Sequence, residues 1–160
     1  MKYTAAVIAV SDMGSRGLRQ DTSGPAVRAM LEEAGFSVAH TAILPDEMEQ
    51  ISAELRDCAD RKRIDLIVTT GGTGLSPRDV TPEATRAVLE REIPAIPVAM
   101  WVEGLKVTPR AMLSRAVAGI RGISLLLNLP GPEKAARENL AAVVGALEHG
   151  LHMIAAEGHE

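Results

Sequence analysis

The chain has 160 residues, of which 46% are hydrophobic and 2% aromatic, with a formal net charge of −4 and one cysteine, Cys58. That length suits a single domain spanning residues 1–160, with a core built from Val, Ile, Leu, Ala and Met. The acidic balance argues against a nucleic-acid surface, the scattered Tyr3, Phe36 and Trp101 offer no stacking platform, a lone cysteine excludes an intramolecular disulfide, and no apolar run reaches membrane-spanning length.

Thr4 to Val10 reads as the first strand, followed by a polar, glycine-bearing loop from Ser11 to Ser23. The short apolar start runs into Ser11-Asp12 without a leader-cleavage pattern, so a reducing, cytoplasmic location is expected. Pro25 begins a helix with an apolar stripe at Val27, Met30, Leu31 and Ala34, stopped by Gly35. Phe36 to Leu44 alternates as a second strand. Pro45-Asp46 opens the next helix, with Met48, Ile51, Leu55 and Cys58 on one face. Ile64 to Thr70 is a buried strand. It runs into Gly71-Gly72-Thr73-Gly74 and then a helix from Pro82 to Arg91.

Two prolines break the chain between Glu92 and Pro97, and a helix resumes from Val98 to Leu105. Thr108-Pro109 reads as an N-cap with proline at the first helical position. Ala116 to Arg121 and Ile123 to Leu129 read as strands. Pro130-Gly131-Pro132 then turns the chain into a last helix, striped by Leu140, Val144, Leu147, Leu151 and Ile154. The alternation of strand and helix predicts an α/β fold: one three-layer domain with a mostly parallel sheet flanked by helices.

The segment Thr69 to Glu83 is the most informative. Three glycines and two threonines, Thr70 and Thr73, follow a strand and precede a helix, with Arg78 and Asp79 just beyond. Glycines there let backbone N–H groups approach a bulky anion beside a helix N-terminus. The loop lacks the Lys-Ser/Thr ending of a Walker A motif and does not fit the dinucleotide glycine spacing. A tight turn alone needs fewer glycines, so ligand contact is the favoured reading.

Ligands of open α/β sheets bind beyond the carboxyl ends of the strands. Those ends carry Ser11-Asp12, Pro45-Asp46, the glycine loop through Asp79, and Asn128-Leu129-Pro130-Gly131. Asp46, with Glu49 three residues on, reads first as a capping box. Thr81 is placed to cap the Pro82 helix, which leaves Asp79 free to ligate Mg²⁺ beside a phosphate. Asp12 and Asp21 read as turn or capping residues, and Ser76 and Ser114 as backbone-bonding hydroxyls that are also able to donate to a ligand. Arg78, Arg115 and Lys134 lie near enough to offset phosphate charge, although each also suits a solvated surface. The four histidines form no metal-binding spacing; His149 and His152 read as surface residues near a helix end. No Ser-His-Asp or Cys-His arrangement is present to suggest covalent catalysis.

These stretches, with Asp21-Thr22-Ser23-Gly24-Pro25, Thr108 to Arg115 and Ala118 to Gly122, resemble the molybdopterin adenylyltransferases of molybdenum-cofactor biosynthesis. This is the MogA/MoaB type, also found as a domain of gephyrin, and the likeness spans nearly the whole chain. The resemblance implies transfer of AMP from ATP to the terminal phosphate of molybdopterin with release of pyrophosphate. Mg²⁺ is the implied cofactor, ATP the co-substrate, a homotrimer the assembly and a molybdenum insertase the partner. By the same resemblance Asp46 and Asp79 are the functional aspartates and metal ligands, which overrides the capping reading of Asp46. Thr70, Gly71, Gly72, Thr73 and Gly74 fall where phosphates bind, and Ser11, Ser76, Ser114, Pro130 and Gly131 in or near the pterin cleft. Two departures stand out. Pro97 to Trp101 is more apolar than the Glu-Ala-Met-Arg pattern frequent in relatives, and Pro132 replaces a small polar residue. A scaffold relative that binds molybdopterin without adenylylating it is the alternative reading, and a phosphate-ester hydrolase using the same cleft a more distant one.

Overall fold

The computed structural model describes residues 2–156. Its strands are β1 (Thr4–Val10), β2 (Ser37–Leu44), β3 (Leu66–Thr70), β4 (Arg91–Glu92), β5 (Ala118–Arg121) and β6 (Ser124–Leu129). They form one sheet in the order β2-β1-β3-β6-β5-β4. The first four of these are mutually parallel, and β5 runs antiparallel to both β6 and β4. The mostly parallel α/β architecture expected from the alternation is therefore the one found. Every residue of β3 and β6 is buried, as central strands covered on both faces require. β2 forms the edge and alternates exposed with half-buried positions.

Among the described residues six α-helices flank the sheet: α1 (Asp12–Ser15), α2 (Ser23–Glu33), α3 (Met48–Arg56), α4 (Thr81–Arg86), α5 (Ala95–Leu105) and α6 (Glu133–Ala155). The period-2 geometry of the strands divides the core into two layers. Ala5, Val7, Val68, Leu125 and Leu127 pack with Val27 and Leu31 of α2, Met100 of α5 and Leu140 and Leu147 of α6. On the other face Ala6, Ile8, Ile67 and Leu126 meet Ile51 and Leu55 of α3 and Ala84 of α4. The register aligns Val10 with Leu44, and Thr70 with Leu129. The carboxyl ends of four strands therefore reach one edge together.

Several boundaries differ from those the sequence suggests, each for a physical reason. α2 starts two residues before Pro25, because the Asp21 carboxylate accepts from the Gly24 N–H at 3.0 Å and closes the first turn. The helix after Thr81 stops at Arg86 instead of reaching Arg91. Arg91 and Glu92 pair as β4 with Ile120 and Gly119, so the sheet claims residues that helix periodicity alone would extend over. α5 starts at Ala95 and carries Pro97 in its first turn, where a missing N–H removes no helical hydrogen bond. A π-helical turn (Asp57–Arg61) extends α3, and a 3₁₀ turn (Pro109–Leu113) is capped by the Thr108 hydroxyl, which accepts from the Arg110 N–H at 3.2 Å.

The stripe expected of α6 is met in part. Leu140, Leu147 and Leu151 are buried and Val144 and Ile154 half-buried, while Ala136, Asn139 and Val143 complete the buried face. Among the described residues no helix is long and apolar enough to cross a membrane.

Candidate functional site

The glycine loop leaves β3 in a conformation that side chains disfavour. Gly71 has φ +98° and Gly72 φ +73°. A Cβ on Gly71 would collide with the Val10 carbonyl, and one on Gly72 would meet the Thr81 hydroxyl and lie 3.1 Å from Asp46 Oδ1. Gly74 approaches the second carboxylate in the same way: its Cβ would lie 3.0 Å from Asp79 Oδ2. The glycines thus admit two acidic side chains from separate loops to within touching distance of one stretch of backbone.

Hydrogen bonds hold the loop from outside. Arg115 Nε donates to the Gly74 carbonyl at 2.7 Å and Arg115 Nη2 to the Asp79 carbonyl at 2.7 Å, while its backbone N–H donates to Thr73 O at 2.9 Å. Arg115 also pairs with Glu83. The buried Asn128 amide donates to the Thr69 and Thr85 hydroxyls, each at 3.0 Å, and its carbonyl accepts from Val117 N–H at 3.1 Å. This ties the ends of β3 and β6 to α4.

Two local expectations fail here. Asp46 makes no capping box, for α3 begins at Met48 without a side-chain cap. Its carboxylate reaches the neighbouring loop after β1 instead. Asp46 Oδ2 accepts from the Asp12 N–H and Asp12 Oδ1 from the Asp46 N–H, both at 2.9 Å. Thr81 does not cap α4; it is the first helical residue, and its fully buried hydroxyl has no hydrogen-bond partner among the described residues. Asp79 in turn has a local contact, accepting from the Ser76 N–H at 3.0 Å.

The electrostatics of the two linked aspartates diverge. Burial raises the Asp46 carboxyl above the usual Asp range; the Asp12 N–H opposes this, and the negative charges of Asp12 and Asp79 add to it. Asp12 is held below that range, foremost by Arg78, whose Nε and Nη2 donate to its two oxygens at 3.0 Å each. Arg78 also reaches Glu47 at 2.7 Å.

Two cavities open at this edge. The first, about 330 Å³, is lined by Ser11, Asp46, Thr70, Gly71 and the loop Arg19 to Ser23. The second, about 470 Å³, is lined by Thr73, Gly74, Ser114, Pro130 and the 3₁₀ turn, with Ala135, Glu138 and Asn139 of α6. Gly72, Asp79, Gly131 and Pro132 line both. They are two lobes of one cleft. The wall between them is formed by two glycine loops in contact, a Cβ on Gly131 falling 3.4 Å from Gly71 Cα.

Thr70, Gly71, Gly72, Thr73 and Gly74, both aspartates, Pro130 and Gly131 are thereby brought together. Ser11 and Ser114 line opposite lobes, and both also bond backbone: the Ser11 hydroxyl accepts from Gly14 N–H and that of Ser114 from Ala116 N–H. Ser76 lines neither lobe, and its side chain lies outside the cleft. Lys134 also lines neither and pairs with Glu138 along α6. Pro132, distant from the central motif in sequence, stands at the junction of the lobes. Sequence reasoning missed Arg19 and Arg110, one in each lobe, whose guanidinium groups pair with no carboxylate among the described residues. The polar loop Ser11 to Ser23 and the Thr108-Pro109-Arg110 turn were the only signals available for them.

A glycine-lined, acidic cleft beyond the carboxyl ends of parallel strands defines an α/β domain whose cleft lies where open sheets of this class bind ligands. A family profile described as a probable molybdopterin binding domain matches residues 6–149, and the chain belongs to that family. It is 44% identical over 139 residues to the molybdopterin adenylyltransferase of Haemophilus influenzae, covering 86% of this chain and 71% of that protein. It is 43% identical over 155 residues to the molybdenum cofactor synthesis protein cinnamon of Drosophila melanogaster, covering 94% of this chain. The chain spans about a quarter of cinnamon's length, 25%, and 23% of that of Dictyostelium discoideum gephyrin. The crystal structure of the molybdopterin biosynthesis enzyme MoaB of Thermus thermophilus superposes with a TM-score of 0.92 at 49% identity, covering 99% of both chains.

Proposed function

We propose that this protein is a molybdopterin adenylyltransferase, transferring AMP from ATP to the terminal phosphate of molybdopterin and releasing pyrophosphate. The observation that carries this reading is the two-lobed cleft whose lobes share Gly72, Asp79, Gly131 and Pro132. A transfer between two bulky anions needs two adjoining sites with the reacting phosphates meeting at a common wall. The first lobe, polar and open to Arg19, Gln20 and Ser23, suits the nucleotide. The second offers Ala111, Leu113 and Ala135 to a flat heterocycle, with Ser114 and Arg110 for its phosphate. The adenylyltransferase names of the bacterial relatives support the same reaction.

In the transfer, an oxygen of the pterin phosphate forms a bond to the α-phosphorus of ATP as the bond from that phosphorus to the β-bridging oxygen breaks, and pyrophosphate carries away the electron pair. The attacking phosphate is already a nucleophile, so the chain's task is alignment and charge compensation. Backbone N–H groups of Gly72 to Gly74 would cradle the phosphates, the Gly71 N–H being held by the Leu129 carbonyl at 3.0 Å. Asp46 and Asp79 would hold Mg²⁺: Asp46 faces Gly72 and Asp79 faces Gly74, and the two carboxylates supply oxygen donors only and repel each other until a cation intervenes. When bound, Mg²⁺ would neutralise charge on the phosphate oxygens.

The assembly is read as a homotrimer, with an insertase as downstream acceptor of the product. An uncovered apolar face supports oligomerisation. Val98, Val102 and Leu105 of α5 are exposed along one side, with Val107, Met112 and Leu113 following, and the buried Trp101 Nε1 has no acceptor among the described residues. The deciding experiment incubates purified protein with molybdopterin, ATP and Mg²⁺. Adenylylated pterin and pyrophosphate that require all three components are expected. Phosphate release from ATP without pterin, or pterin binding with no adenylylation, overturns the assignment.

A further inference from the structure

A second cluster of metal-binding side chains lies outside the cleft. His40 projects from edge strand β2, Glu54 from α3, and Cys58 from the π-helical turn that extends α3. None of them lines either lobe. His40 Nε2 and Glu54 Oε2 are 2.6 Å apart, Cys58 Sγ is 3.8 Å from the same carboxylate oxygen, and all three donor atoms lie within 4.8 Å of one another. The geometry points to a binding site for a zinc-class divalent cation held by His40, Glu54 and Cys58, with a fourth position facing water.

Zinc takes nitrogen, oxygen and sulfur donors at about 2.0–2.3 Å, so tetrahedral donors stand roughly 3.3–3.6 Å apart. The observed triangle brackets that spacing, and small side-chain rotations bring it to fit. Donor chemistry separates this site from the acidic cleft. Imidazole plus thiolate selects borderline-soft cations, whereas a pair of carboxylates suits Mg²⁺. Charge agrees as well, because thiolate and carboxylate together neutralise a dication at a half-buried position. His40 and Glu54 are partly open to solvent and provide the entry path, while Cys58 is fully buried behind them.

Burial and the Glu54 carboxylate push the Cys58 thiol up to about 12, Asp57 adding to the shift and Lys62 opposing it, so the thiol carries its proton at neutral pH. Binding then exchanges that proton for the cation: the S–H bond breaks, a metal–sulfur bond forms, and one proton leaves to solvent. The bound ion would fasten edge strand β2 to α3.

The test titrates full-length protein with Co²⁺ and with Zn²⁺ in excess Mg²⁺. One equivalent should bind, with a thiolate-to-cobalt charge-transfer band, release of one proton per ion, and a rise in Tm. Cys58→Ser should abolish the band. His40→Ala, at a half-exposed position that leaves the core intact, should weaken uptake by about tenfold or more. An Asp46→Asn/Asp79→Asn double variant should bind as the unaltered protein does. Absence of uptake, a Co²⁺ spectrum without thiolate character, or uptake lost only in the double variant would overturn the site. In that case His40 and Glu54 form a simple hydrogen bond over a core cysteine.

Discussion

Gly17 and Gly72 provide a matched pair for testing whether the glycine loop exists to admit Asp46. Their φ angles are nearly identical, +72° and +73°. Their surroundings are opposite. A Cβ on Gly17 meets nothing within 4 Å, whereas one on Gly72 falls on the Thr81 hydroxyl and 3.1 Å from Asp46 Oδ1. Alanine at either position bears the left-handed penalty of about 1 kcal/mol. For a chain of this size that corresponds to a fall in Tm of about 2–4 °C. Gly72→Ala must also displace Thr81 or Asp46, an overpacking cost of about 1–3 kcal/mol more. Thermal unfolding should therefore place Gly72→Ala clearly below Gly17→Ala, which should stay close to the unaltered protein. Turnover should separate them further. Moving a phosphate-aligning carboxylate by about 1 Å costs on the order of 100-fold in rate, and Gly17 lines no part of the cleft. Pyrophosphate release measured with molybdopterin and ATP checks this. Equal Tm and equal turnover for the two variants would refute the close approach on which the site is built.

Asp79→Asn should retain the fold by circular dichroism and lose most turnover; near-normal adenylylation would exclude its role at the metal. Asp46→Asn behaves differently because the folded protein raises that carboxyl above its ordinary value of 3.8. The folded state holds the proton more tightly than the unfolded chain, so the contribution favours folding in acid and is lost as pH rises through the raised value. At pH 7 the ionised group opposes folding, and Asp46→Asn should unfold at an equal or higher temperature than the parent while losing activity. That difference should narrow at pH 4, and a variant that is less stable only at pH 7 would contradict the assignment. Asn128→Ala leaves the buried Val117 N–H without its acceptor, a cost of about 1–3 kcal/mol, which thermal unfolding should register as a fall of roughly 2–12 °C. Arg19→Ala should raise KM for ATP and Arg110→Ala KM for molybdopterin, each by about tenfold for a lost charged hydrogen bond of roughly 1.5 kcal/mol. The opposite pattern would exchange the two lobes.

What was legible in the sequence was whatever local chemistry dictates. The buried runs of β1, β3 and β6 announce themselves by β-branched and aliphatic residues, and Gly71-Gly72 by a turn that only glycine tolerates. Asp21 acts on Gly24, three residues away, and its capping role was readable. Asp46 acts on Asp12, 34 residues away, and local reasoning assigned it to a cap on α3 that it does not make. Arg115 has the same difficulty, for its partners Gly74 and Asp79 lie 41 and 36 residues upstream. The end of α4 and the start of β4 depend on a strand pairing with β5 that no window around Arg91 contains. The place of Pro132 at the junction of the lobes was not legible, because sequence distance hides the contact of its loop with Gly71.

These long-range contacts also decide which positive charges remain for substrate. Arg78 and Arg115 sit inside or next to the most specific motif and invite assignment as phosphate ligands. Both are already committed, Arg78 to Asp12 and Glu47, and Arg115 to two loop carbonyls and Glu83. Releasing either would strand carboxylates or carbonyls in a cleft that is already acidic. Their work is to keep Asp12, and through it Asp46, and the glycine loop in place before substrate arrives. The arginines left to meet an incoming anion are Arg19 and Arg110, one per lobe, on segments with no glycine signature. Two guanidinium groups cannot balance a triphosphate and a second phosphate at a wall carrying Asp46 and Asp79. On the proposed reaction the remaining charge would arrive with the nucleotide as a divalent cation, so turnover should depend on the metal complex of ATP and fall when ATP exceeds the metal.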